Sequence, residues 1–252
     1  VFNYMPLVSV IIPYFKKKKF IKEAVNSILQ QSYQNIEVLI IYDDPDQTDL
    51  EYLMSIFGSN KKIRFIINKK NIGAGASRNK GILSAKGKFV SFLDADDYWV
   101  KEKISKQIKF MKKKNYKISH TSYEIIDERG KHLSNRKAKN FYDYKEILKS
   151  CDIGLSTVIL EKDLITDEIK FADLKTKEDF VLWLKLLYSG NIIGALEEYL
   201  VCWRRTKNSL SSSFFQKMSD GFLVYYRHMK FNIFKSFYYL MILCLNYLLK
   251  NR

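Results

Sequence analysis

The feature that most restricts the fold is a repeat in the first hundred residues, where short β-branched apolar runs alternate with stretches of helical spacing. Residues 8–12 (Val-Ser-Val-Ile-Ile) are almost wholly apolar and end at Pro13. A run this short and this apolar predicts a strand buried on both faces. Residues 37–42, 63–67 and 89–93 repeat the pattern. Between the first two, Ile21, Ala24, Val25, Ile28 and Leu29 recur at three- and four-residue steps within residues 20–31, which is one apolar helical stripe. Further helical stretches cover residues 49–57 and 74–85. The order βαβαβαβ predicts an α/β fold, with a Rossmann-like, mostly parallel sheet flanked by helices.

Beyond residue 100 the pattern loosens. The spacing predicts a basic helix over 101–114, strands over 118–122 and 156–160, and a helix over 178–188, with a polar loop over 129–140. The chain of 252 residues is long enough for one catalytic unit, expected over 1–213, plus an appendage, 214–252. Cys151, Cys202 and Cys244 are far apart and lack metal-site spacing, so neither a disulfide framework nor a zinc site is expected. Residues 1–7 lack the charged start and apolar stretch of a signal peptide, so no export is expected.

Charge selects among partners only coarsely. With 43 basic and 27 acidic residues the chain carries a formal +16, which attracts nucleotides, nucleic acid and acidic lipid alike. The lysine runs at 16–19, 61–62, 69–70 and 112–114 read mainly as solvated faces. Nucleic acid is not the expected partner, because the aromatic residues fall in apolar stripes and no nucleic-acid-binding motif is present.

In a doubly wound sheet, ligands bind at the carboxyl ends of the strands. Here those ends are acidic: Asp43-Asp44-Pro45-Asp46 after the second run, and Asp94-Ala95-Asp96-Asp97 after the fourth. Carboxylates one residue apart suit a hard cation, and Mg2+ or Mn2+ held this way keeps positions open for substrate phosphates. The third run leads into Asn71-Ile72-Gly73-Ala74-Gly75-Ala76-Ser77-Arg78. Its small residues let backbone approach a ligand, and Arg78 falls in the first turn of a helix, where anions are favoured. No glycine fingerprint follows the first run, which disfavours a dinucleotide site.

Val8-Ser9-Val10-Ile11-Ile12-Pro13, Ser27-Ile28-Leu29-Gln30-Gln31-Ser32-Tyr33, Ile36-Glu37-Val38, Asp43-Asp44, Asn71-Ile72-Gly73, Arg78-Asn79-Lys80-Gly81 and Phe92-Leu93-Asp94-Ala95-Asp96-Asp97 occur in one order. Together they resemble the successive motifs of the family 2 inverting glycosyltransferases, which have the GT-A fold. His120-Thr121-Ser122-Tyr123-Glu124 and the segment from Glu178-Asp179 to Leu187 are similar to bacterial members that make teichuronic acid and other envelope polysaccharides.

The resemblance implies a UDP-sugar donor, a lipid-linked or growing saccharide acceptor, and Mn2+ or Mg2+. It places Pro13 and Phe15 at the nucleotide base, Asp44 at the uracil imide, and Gly73 and Arg78 in the nucleotide site. It also places Asp94 near the ribose and donor sugar, Asp96 at the metal, and Asp179 as catalytic base, with Glu178 beside it. At the start of a helix, Asp179 is expected to be held ionised by the helix dipole. The chain departs from the family at Tyr14-Phe15-Lys16, at Pro45-Asp46, and at Trp203-Arg204-Arg205-Thr206, which carries no histidine; there Arg204 or Arg205 is expected at the diphosphate. Two rival functions are a non-catalytic nucleotide-sugar or nucleic-acid binding protein, and a nucleotidyltransferase that releases pyrophosphate.

From Phe214 onward the composition turns aromatic and basic, with Asp220 the lone acidic residue. Lys235 and Asn246 interrupt the apolar run, leaving it short of the roughly 20 residues a bilayer crossing needs. A helical tail lying on an anionic membrane surface is expected ahead of one docked on the core or one that spans. The expected location is cytoplasmic, peripheral on the inner face of the membrane.

Overall fold

The computed structural model describes residues 5–206 and 214–250. The expected domain boundary, 213/214, falls beside the segment 207–213, and that segment and residues 1–4 lie outside the described residues. The first half alternates β1 (Val8–Tyr14), α1 (Lys18–Leu29), β2 (Ile36–Tyr42), α2 (Leu50–Phe57), β3 (Ile63–Ile67), α3 (Ala74–Ser84) and β4 (Phe89–Phe92). The second half carries β5 (Tyr98–Trp99), α4 (Lys103–Lys114), β6 (Ile118–Ile126), β7 (His132–Arg136), α5 (Tyr144–Ile147), β8 (Ile159–Glu161), α6 (Glu178–Tyr188) and β9 (Ile193–Arg204). After the gap come α7 (Phe214–Leu223), a π-type turn Val224–His228 and α8 (Ile233–Lys250).

One sheet runs through the molecule in the order β3-β2-β1-β4-β8-β6-β9-β5, with β7 paired to β6. β1 pairs parallel with β2 and β4, β2 with β3, and β6 with β9, whereas β8 joins β4 and β6 antiparallel. Since β8 reverses direction twice in the path, β6 and β9 run the same way as β1 to β4. The carboxyl ends of six strands therefore share one edge, four of them the apolar runs of the first half. Side chains alternate between two cores. Val8, Val10 and Ile12 pack with the α1 residues Ile21, Val25 and Ile28, whereas Ile11 packs with Ile82 of α3 and Phe180 and Leu184 of α6. A strand covered on both faces has no solvent side, hence its continuous apolarity.

One expectation about the second half needs correction, and one strand there was not expected. Residues 129–140 are not a loop throughout, because His132–Arg136 pairs with β6 as an edge strand. An edge strand with one neighbour and mostly exposed side chains need not be apolar, so its polarity hid it. The longest strand, β9, has the burial order inward at both ends with Glu197 and Glu198 outward in the middle, which broke its apolar run.

The tail docks on the core. Val224, Tyr225, Leu240 and Leu243 are buried in the same cluster as Phe180, and Tyr225 Oη donates to Leu148 O at 2.6 Å. Among the described residues, no helix is long and apolar enough to cross a membrane.

Candidate active site

The strand-end acids have separate tasks. Asp43, just past β2, accepts from Asn68 Nδ2 at 2.8 Å and from the backbone N–H groups of Ile72 and Gly73 at 2.9 Å. It thereby holds the 68–73 loop closed; Gly73 enters α3 with φ of +85°, a conformation that favours glycine. Asp44 is fully buried in its own turn. It accepts from Asp46 N at 3.3 Å and Thr48 Oγ1 at 3.4 Å, with the Lys16 ammonium 3.9 Å away. A base could reach that carboxylate only after the turn or Lys16 moved. Pro13 lies opposite Ile41 at the end of β1, and Phe15 beyond it is 39% exposed with Lys16 over its ring.

The turn after β4 presents two open carboxylates and one closed. Asp97 is buried and accepts from Ser156 Oγ at 2.6 Å and Arg204 N at 2.8 Å; burial, Asp94 and Asp96 push its carboxyl up well above the usual range. Ser156 Oγ also accepts from Asp94 N at 3.1 Å, so one hydroxyl ties both ends of the turn. Asp96 Oδ2 receives the Lys17 ammonium at 2.7 Å and the Thr206 hydroxyl at 3.4 Å.

Arg78 joins the β4 turn to α6. Its guanidinium is buried, donating to Asp94 Oδ1 at 2.7 Å and to Glu178 Oε1 at 2.5 Å, with its carbon 5.5 Å over the Phe171 ring. The flanking carboxylates raise its pKa against the burial that would lower it. Both terminal nitrogens hold protein carboxylates, whereas the buried Nε has no hydrogen-bond partner among the described residues. Asp179 follows Glu178 in the first turn of α6. Burial and the Glu178 charge raise its carboxyl to about 7, against the lowering effect of Arg78 and of the Phe180 N–H. The helix-dipole expectation is therefore corrected: desolvation and the neighbouring charge win over the dipole.

Arg204 is also corrected. Its guanidinium is buried, donating to Asp96 O at 2.9 Å, Asp127 O at 3.3 Å and Glu23 Oε2 at 2.5 Å, and it lies over Phe20. It braces the acidic turn from behind and has no face toward a diphosphate. Arg205 has an exposed side chain, and its backbone N–H bonds Ile126 O at 2.9 Å.

A set of ion pairs thus joins Asp44 to Lys16, Lys17 to Asp96, and Arg78 to both Asp94 and Glu178, the residue before Asp179. It follows the carboxyl edge of β2, β1 and β4. A recess of about 210 Å3 opens beside it, lined by Lys16, Lys17, Phe20, Glu128 and Thr206. Lys17, Ser156 and Thr206 were missed by sequence reasoning. Lys17 sits inside a four-lysine run that reads as solvated, and lone hydroxyls carry no spacing signal.

A family model described as "Glycosyl transferase family 2" matches residues 9–161. The chain belongs to glycosyl transferase family 2. Among family 2 relatives, a protein of Rickettsia felis named as an uncharacterized glycosyltransferase is 38% identical over 195 residues, covering 77% of this chain. The chain spans only 32% of that relative's length. Escherichia coli WfgD, named UDP-Glc:alpha-D-GlcNAc-diphosphoundecaprenol beta-1,3-glucosyltransferase, is 33% identical over 217 residues, covering 84% of this chain and 82% of that protein. Bacillus subtilis (strain 168) TuaG, whose name proposes a place in teichuronic acid biosynthesis, is 32% identical, covering 88% of each chain. The crystal structure of S. aureus TarS 1-349 in complex with UDP-GlcNAc matches at TM-score 0.70 and 21% identity, covering 92% of this chain and 70% of that one. At that identity it establishes the fold alone: this family 2 chain has the GT-A α/β fold.

Proposed function

We propose that this chain is an inverting glycosyltransferase that moves a sugar from a UDP-sugar to a lipid-linked or growing saccharide acceptor in surface polysaccharide synthesis. The observation that carries the reading is the Asp94–Arg78–Glu178 bridge, which fixes a donor-side carboxylate to the helix start that bears Asp179. Family membership supports it, as do the substrates in the name of WfgD and the UDP-GlcNAc in the TarS complex.

Asp179 has the attributes of a general base, since a carboxyl raised to about 7 is a stronger proton acceptor than an ordinary aspartate yet still ionises near neutral pH. It takes the proton of the acceptor hydroxyl while that oxygen bonds to the anomeric carbon. The bond from that carbon to the diphosphate oxygen breaks on the opposite face, UDP leaves with the electron pair, and the carbon inverts. Pro13, Phe15, Asp44 and Gly73 belong to the proposed uridine end of the site, and Asp94 to the sugar end. Arg78 and Glu178 hold the two ends in register.

The residues present fit Mn2+ or Mg2+. Asp96 offers a hard carboxylate that already accepts a cationic group, with the Thr206 hydroxyl beside it. Among the described residues, no three His, Cys, Asp or Glu side chains form a closed cage. A cation there would be held by one or two carboxylates and completed by substrate phosphates. When bound, the ion supplies neutralisation of charge on the departing diphosphate. A nucleotide-sugar donor and a lipid-linked acceptor meet at the cytoplasmic face of the membrane, and the reaction is proposed there.

The test is a panel of UDP-sugars with Mn2+, reading UDP release. Asp179→Asn is expected to stop turnover while donor binding persists, and Asp96→Ala to weaken metal-dependent donor binding. Pyrophosphate in place of UDP would overturn the reading in favour of nucleotidyl transfer.

A further inference from the structure

The helical tail packs one face on the core and leaves the other bare. On α8, Ser236, Leu240 and Leu243 are buried, whereas Phe234 is 86% exposed and Phe237, Tyr238, Met241, Leu245 and Leu248 are each more than half exposed. These exposed positions follow steps of three and four residues, so they form one apolar stripe along the helix. Tyr226 of the π-type turn, 46% exposed and stacked on Phe222, which in turn meets Phe237, extends the exposed surface. Monomeric proteins seldom expose that much contiguous apolar surface without a partner.

The charge around the stripe says which partner. Arg227, Lys230 and Lys235 are exposed, and Asp220 is the only acidic residue between 214 and 250. Asp220 is turned inward, its Oδ2 accepting the Thr176 N–H and hydroxyl, each at 2.8 Å. The outward rim is therefore cationic without a compensating acid of its own segment. A second copy of this chain meeting the stripe through the same segment would bring no exposed acid of that segment to pair with these cations. A plane of anionic headgroups over an acyl interior matches both the rim and the stripe.

We propose that the α8 stripe, rimmed by Arg227, Lys230 and Lys235, is a docking face for an anionic phospholipid surface. It lies in the interface and does not cross it. The same contacts fix the orientation of the active site, because Asp220 holds Thr176, two residues before Glu178, and Gly221 abuts Lys177. The docked face is thus tied rigidly to the segment that carries Asp179. This last consequence rests on the transferase reading; lipid binding does not.

The test uses the full chain and vesicle flotation, comparing phosphatidylcholine alone with a phosphatidylcholine and phosphatidylglycerol mixture. The chain is expected to float with the anionic vesicles. Phe234→Ser, Met241→Ser and Leu245→Ser combined should lower partitioning at least tenfold, and Lys230→Gln and Lys235→Gln roughly fivefold each. Leu83→Ser, an equally bare position on α3, should change nothing. The charge variants leave the apolar packing of α8 in place, Lys235→Gln removing only a cation over the Phe231 ring, and keep the test decisive should the apolar triple fail to fold. Equal flotation of all variants, or none by the parent chain, overturns the proposal. So does a dimer by light scattering that the serine triple dissociates, since the stripe then pairs with itself. UDP binding to lipid-free protein is read in parallel: its absence with flotation intact sinks the transferase reading and leaves the docking face standing.

Discussion

The Lys17 ammonium lies 2.7 Å from Asp96 Oδ2, so the carboxylate proposed for a divalent ion is already holding a monovalent one. A metal arriving at Asp96 has to displace that lysine, whose other hydrogen-bond partner is the Thr206 hydroxyl at 3.2 Å. Both side chains are partly exposed, and pairs of this kind contribute at most about 1 kcal/mol.

Lys17→Met should therefore lower the Mn2+ concentration that gives half-maximal UDP release, by up to about fivefold, with little change in thermal stability. A metal titration of both forms checks this. An unchanged midpoint means that lysine and metal do not compete.

As the proposed base, Asp179 with its raised carboxyl should set the acid limb of the pH profile. The base works only when ionised, so kcat should rise about tenfold per pH unit below 7 and level off above it. Stability runs the other way. The folded state binds this proton more tightly than the unfolded chain does, so stability falls as pH rises from about 4 toward 7. Asp179→Asn should lower kcat by roughly 10^2 to 10^4. It should also raise Tm at pH 8, a gain that disappears in melts recorded near pH 4.

Arg78 spans two carboxylates from different elements, a geometry that a lysine cannot reproduce. Arg78→Ala leaves Glu178 buried without its partner and should cost about 3 kcal/mol in urea unfolding, the lower end for a broken buried pair. Asp94 remains 31% exposed and keeps some hydration, which is why the lower end applies. Arg78→Lys should recover part of the stability and little of kcat, because one ammonium cannot hold both registers at once. Full recovery of kcat in the lysine form would remove the bridge from its positioning role.

Gly75 has no room for a side chain. A Cβ there would stand 3.0 Å from Ala172 O and 3.0 Å from Glu178 Cγ. The small residue admits α6 and not a ligand, as the sequence had suggested. Gly75→Ala should push the start of α6 outward, costing about 1–3 kcal/mol and lowering kcat with the donor KM nearly unchanged. Steady-state kinetics with varied donor separates the two.

The first half of the fold was legible because its strands are covered on both faces and its helices on one, which writes their positions as apolar runs and stripes. β9 was not, since Glu197 and Glu198 face solvent between its two buried ends. Strand-end position singled out Asp94 and Asp96, and the family motif singled out Asp179. The ion pairs around them were not readable: Lys17–Asp96 spans 79 residues of sequence, and Arg78–Glu178, beside Asp179, spans 100. Contacts that distant leave no local spacing, and a buried guanidinium looks the same in sequence as one facing phosphate.

Asp43 spends its whole carboxylate on Asn68, Ile72 and Gly73. The loop it gathers is consequently rigid before any nucleotide arrives, and binding there loses little chain entropy. In the proposed site, discrimination between donors at that end then rests on the fit of a surface set before the donor binds.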